Sequence, residues 1–249
     1  MKNILTILFF FSGFATGLHA QPGFAELNLQ FFHAYIASDL AQWQSGIERL
    51  EKALEADPEN DRLRYRLAHA AYGAVGACLA TDDEKSADRL LDLAEKHLKK
   101  LLKKDDGVAE YHALMAGVYG LQIALSPMKG MFLGPKSSRH VDRALSLDPA
   151  CADAHFQQGA SLLNTPAMWG GDAEAGAAAL EQACRLYEQT GDSHSWPYLN
   201  ALAMLGQAYQ ELGRKDAARD TYHKALAIAP EFSWVKYVLL PEVAARDNR

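Results

Sequence analysis

Gly130 to Ser137 is where the chain comes nearest to a nucleotide-binding pattern. Gly130, four intervening residues and then Pro135-Lys136-Ser137 give the outline of a phosphate-binding loop. In such a loop, glycine N–H groups cradle phosphates and a lysine reaches them. Pro135 stands where the second glycine belongs and has no N–H to offer, and no strand-like run precedes it. The histidines form no His-Glu-x-x-His motif. His140 and Asp142 are close in sequence with no nucleophile beside them. His112 and His155 fall at matching places in two similar segments, which argues for packing. Cys78, Cys151 and Cys184 have no metal-site spacing. Cys151 begins one expected helix and Cys184 nears the end of its antiparallel partner. A disulfide between them and a pair of small buried side chains are both open readings. No metal, no cofactor and no named catalytic mechanism is expected.

The remaining residue types are those of binding. In the segment 126–135, Met128, Met131, Phe132 and Leu133 are apolar, and prolines and glycines lie between and around them. Read as an exposed loop, this segment would form a lip that contacts a ligand or partner, because loops often carry function and methionine adapts to varied surfaces. The other reading is an elaborated turn packed on its neighbours. Trp169-Gly170-Gly171-Asp172 is a second marker. Paired glycines turn the chain and Asp172 caps a helix, while Trp169 is either a groove residue or core. Lys96, Lys99, Lys100, Lys103 and Lys104 lie opposite a leucine stripe and read as a solvated helix face.

These residues need elements to position them. Alanine is abundant and Val/Ile/Thr runs are scarce, which favours helices throughout. The clearest unit runs from Leu202 to Pro230: Leu202-x2-Leu205-Gly206-x2-Tyr209, then Ala218-x3-Tyr222-x2-Ala225-x4-Pro230. Small Gly206 and Ala218 allow two helices to approach closely, and Tyr209 and Tyr222 fill the space between them. Gly213 suits the end of the first helix, and Pro230 ends the second. Asp148-Pro149 and Asp57-Pro58 close two earlier units in the same way. Helices are expected near 25–39, 42–56, 61 onward, 84–104, 108–125, 138–147, 152–163 and 172–187. Phe232 to Leu240 is expected to cap the open end before Pro241.

The 202–230 unit resembles the tetratricopeptide repeat, with leucine for tryptophan and tyrosine for phenylalanine at two signature positions. The resemblance implies an all-α TPR-like solenoid of about five antiparallel helix pairs with a C-terminal capping helix. It also implies a concave face lined by the first helix of each pair. Candidate binding residues there are Phe31, Tyr35, Arg66, Phe156, Asn200 and Gln207, joined by Met128, Met131, Phe132 and Trp169 from the connections. Asn200 is followed by Ala203 and Gln207 where a carboxylate clamp would need further cations. The Gly-Gly-Asp turn is also similar to that of the periplasmic TPR partners of TRAP transporters, which implies a small organic ligand as an alternative cargo.

Residues 1–20 have the build of a secretory signal peptide: Lys2, an apolar run from Ile4 to Phe11, and Leu18-His19-Ala20 before Gln21. An uncleaved anchor is the other reading, although the run is short of the ~20 residues a span needs. Residues 21–249 then form a single repeat domain, exported to the periplasm or outside the cell. The formal net charge of −6 argues against a nucleic-acid binder. The expectation is a non-catalytic scaffold that binds a protein or peptide. The alternative is a small-ligand carrier or transporter accessory with an apolar pocket near 126–135 and 164–171.

Overall fold

The computed structural model describes residues 23–246, so the expected leader lies outside the described residues. Within them, ten helices pair in chain order. α1 (Phe24–Ala37) runs against α2 (Leu40–Ala56), α3 (Asp61–Leu79) against α4 (Glu84–Lys104), and α5 (Ala109–Leu125) against α6 (Gly130–Leu147). α7 (Ala152–Asn164) pairs with α8 (Ala173–Gln189), and α9 (Trp196–Glu211) with α10 (Lys215–Ile228). A π-helical turn, Val235–Leu239, and α11 (Leu240–Arg246) come after the last pair. The described residues contain no strand. This is the expected solenoid of five helix pairs.

Local chemistry sets the boundaries. The side chains of Asp39, Asn60, Asp83, Asp172 and Ser195 each accept a hydrogen bond from backbone N–H groups that a helix start leaves unpaired. Gly213 ends α9 at φ 71°, the left-handed conformation expected for it. Gly171 is required for space: a Cβ there would lie 1.6 Å from the Thr165 carbonyl oxygen. On α4, Leu91, Ala94, Leu98 and Leu101 are buried and the lysine row is exposed. Lys99 pairs with Glu95 and Lys104 with Asp61, so the row is a solvated face.

His112 and His155 do share one role. Each is the fourth residue of its helix and places Nε2 2.9 Å from the carbonyl six residues back, Asp106 and Pro149 respectively. Both fasten the junction by which one pair leads into the next. His112 therefore holds its proton on Nε2, and its Nδ1 accepts from Nδ1 of His140 at 2.8 Å. Cys78, Cys151 and Cys184 are buried, unpaired thiols. Burial pushes them up to about 11, 12 and 12, far from the reactive thiolate range.

Two segments differ from expectation. The stretch 126–135 is not a loop: a 3-10 turn, Pro127–Lys129, leads directly into α6, which begins at Gly130 and carries Pro135 inside it. The φ that proline imposes is already helical, so Pro135 forfeits one hydrogen bond without unwinding the chain. Ser137 compensates by donating to the Ala116 carbonyl of α5 at 3.0 Å. At the other end, the cap does not stop before Pro241. Leu240 N–H reaches back to Val235 in a π register, and this shift in the ladder lets the helix continue through Pro241, which has no N–H, into α11. Phe232, Val235, Leu239 and Val243 bury the cap against the last pair.

The first helices form an inner row: α1 touches α3, α3 touches α5, α5 touches α7 and α7 touches α9. This row bends far enough that α1 also touches α9. Tyr35 packs on Phe232 with ring centroids 5.2 Å apart, and Ser38 lies 3.4 Å from Ser233. The array closes on itself.

Candidate functional site

Closure converts the concave face into a narrow central recess. Its floor and walls come from several helices of the inner row together with the end of α8. α3 gives His69 and Tyr72, and α7 gives Asp153, Phe156 and Gln157. α8 gives Tyr187, and α9 gives Trp196, Pro197 and Asn200. The recess is narrow: about 10 Å³ of it is open to a water-sized group, which is room for one.

The polar groups around the recess are ordered by one another. Tyr187 donates to Asp153. Gln157 donates from Nε2 to the Tyr72 hydroxyl at 3.1 Å, and Tyr35 donates to Asn200 Oδ1 at 3.0 Å. Burial raises the tyrosine hydroxyls at 35, 65, 72 and 187, with the charge of Asp153 adding to the effect at 65, 72 and 187. All four are neutral donors at physiological pH. Burial pushes His69 down, against the opposing pull of Asp153, so its imidazole is uncharged. Asp153 forms no ion pair with Lys or Arg among the described residues. Chemically, the recess offers aromatic walls, neutral hydrogen-bonding groups and one carboxylate.

The expected site residues scatter over this frame. Phe156 and Asn200 line the recess. Tyr35 borders it through its bond to Asn200 and its packing on Trp196, centroid to centroid 5.7 Å. Phe31 is buried and stacks on Trp43. Arg66 lies over the Phe24 ring and bonds Asn28. Gln207 is half-buried on α9. Met128, Met131, Phe132 and Trp169 are 70–89% exposed and do not line the recess. With Met168 and the end of α3 at Leu79, they occupy the edge where each first helix turns into its second. Sequence reasoning missed Asp153, Gln157, Tyr187 and Trp196. For Asp153, Gln157 and Trp196 the available signal was a polar or aromatic residue early in a first helix; Tyr187, near the end of the second helix α8, carried no such signal.

The fold and the recess define an α-solenoid that presents an inner face built from its first helices. Residues 199–232 match the tetratricopeptide repeat family model. No curated protein matches the chain in sequence at a significant level. Among solved structures, the chain is similar to a thermophilic TPR protein of Thermus thermophilus, at 19% identity and a TM-score of 0.57, over 90% of this chain and 99% of that one. It is also similar to the HusA haemophore of Porphyromonas gingivalis, at 22% identity and a TM-score of 0.58, over 77% of this chain and 96% of that one. The chain thus carries one tetratricopeptide repeat recognisable in sequence, at residues 199–232, and its described residues as a whole share the helical-repeat fold of these structures.

Proposed function

We propose that the chain is a non-catalytic scaffold, exported by its N-terminal segment, that binds a peptide or protein segment at the mouth of the central recess. The carrying observation is the recess itself. Most of the inner row contributes to it, its hydrogen bonds hold it in shape, and solenoids use such inner surfaces for recognition. Because the row closes, the bound element is a side chain or a chain end that enters the mouth, not a long peptide laid along a groove. Selection of displayed dodecapeptides on the full chain tests this. Hydrogen–deuterium exchange with a selected peptide should slow α3, α7 and α9. A footprint confined to α4, α6 and α10, or a selection that enriches nothing, sinks the reading.

A second reading draws on the five apolar side chains Met128, Met131, Phe132, Met168 and Trp169, exposed along one edge. Contiguous exposed apolar groups mark interaction surfaces. In this reading the edge carries a flat apolar ligand, and the name haemophore borne by one structural neighbour makes haem a suitable probe. Haemin titration followed by absorbance, with wild type against Phe132→Ala/Trp169→Ala, decides it. Identical spectra for the two proteins remove this reading.

A further inference from the structure

We infer that the recess receives a primary ammonium group, supplied by a lysine side chain or by the N-terminus of the bound peptide. The inference rests on the peptide-binding reading above and names what that site selects. Four observations converge on it. Asp153 supplies the one carboxylate of the recess and forms no ion pair with Lys or Arg among the described residues. Tyr187 occupies part of its acceptor capacity, and an ionised carboxylate has about four acceptor sites. Tyr72, Phe156, Tyr187 and Trp196 surround the same space, and aromatic rings attract a desolvated cation. Gln157 spends its amide N–H on Tyr72, which leaves its carbonyl oxygen as an acceptor for an ammonium donor.

Size sets the specificity. The inner void of about 10 Å³ admits a group no larger than water. An ammonium is a compact point charge of that size, whereas a guanidinium is a broad planar fork. A carboxylate guest would face Asp153 with no cation to offset the repulsion. Arg66, whose charge acts on His69, turns its guanidinium to Asn28 and the Phe24 ring, although its Nε stays buried without a partner.

The test uses the full chain and synthetic versions of the peptides obtained by selection, with affinities measured calorimetrically. Each peptide is made with free amines, with its lysines Nε-acetylated, with lysine replaced by arginine, and with its N-terminus acetylated. The expected result is enrichment of lysine or dependence on a free N-terminus, with binding weakened at least about tenfold by acetylation of one of the two. A tenfold change corresponds to about 1.4 kcal/mol. Which acetylation matters tells lysine from terminus. Asp153→Asn, which keeps an oxygen for Tyr187, should reproduce the loss. If that variant unfolds, the acetylated peptides still decide the matter. Peptides that bind with the expected footprint but tolerate both acetylations overturn the ammonium inference and leave the peptide-binding reading standing. A selection that enriches nothing overturns both.

Discussion

Tyr35, on the first helix, donates a hydrogen bond of 3.0 Å to the side chain of Asn200, on the ninth. The two residues are 165 positions apart. The same tyrosine packs on Trp196 and Phe232, so one side chain joins the first pair to the last pair and to the cap. Tyr35→Phe keeps the ring and removes the bond. It should destabilise the chain by about 1 kcal/mol, as loss of a partly buried hydrogen bond does. For a chain of this size that lowers Tm by roughly 2–4 °C. A calorimetric scan that finds no shift would show that ring packing alone holds the closure.

Two glycines should respond in opposite directions. A Cβ on Gly206 would lie 2.1 Å from the Tyr222 ring, which is fully buried, so Gly206→Ala should cost about 1–3 kcal/mol through overpacking. Gly76 is exposed within α3, and a Cβ there meets nothing within 4 Å. Gly76→Ala should therefore stabilise by about 0.5–1 kcal/mol, the helix-propensity difference. Denaturant midpoints for the two variants give the comparison directly.

Pro135 withholds an N–H from the Met131 carbonyl, inside a helix. Pro135→Ala should restore that bond and raise Tm, because an interior proline is about 3 kcal/mol less favourable than alanine. Ser137 and its bond to Ala116 fix the segment in its present place, so the expected gain is a fraction of that figure. A lower Tm would mean that the proline shapes a turn of α6 that alanine does not reproduce.

Acid should weaken the fold through two histidines. Burial, with Arg64, Lys96 and Lys100 around His97 and with His112 and Arg139 around His140, pushes each down to about 4. Between the ordinary value near 6.5 and about 4, the unfolded chain binds protons that the folded chain refuses. Stability should fall as pH drops through that window, and below it these two histidines contribute no further slope. Asp39 and Glu188, held below their ordinary values of 3.8 and 4.5, act lower on the scale. Urea midpoints at pH 7, 6 and 5 should decline steadily, and His140→Gln should flatten the decline.

The parts of this structure that depend on neighbours in sequence were the legible ones. Gly206 and Tyr222 announce a close helix pair, Gly213 a left-handed end, and the leucine stripe of α4 its buried side. These signals lie within one or two turns of the feature they specify. The first turn of α6 reads as a loop because two glycines and two prolines suggest one when taken singly. Here the turn Pro127–Lys129 already supplies helical geometry, and Ser137 anchors the later part of the helix. The recess was only half legible. Phe156 and Asn200 fall on it because first helices face inward, but Asp153 and Tyr187 meet across 34 positions and Gln157 and Tyr72 across 85. The first meeting depends on the register of α8 against α7. The second depends on how far the inner row curves, and curvature is the sum of small rotations at each pair that no single residue encodes.

The contact of α1 with α9 has one more consequence. An open solenoid can gain or lose a unit and remain a solenoid, because each unit needs only the one beside it. Here the first and last units are also neighbours, so the array has a fixed count. A pair inserted between α1 and α9 would carry Tyr35 away from Asn200, and the loss of one pair between them would leave too little arc to meet. Duplication and deletion, the ordinary means by which repeat proteins change length, are therefore closed to this chain unless the seam between α1 and α9 is redrawn at the same time.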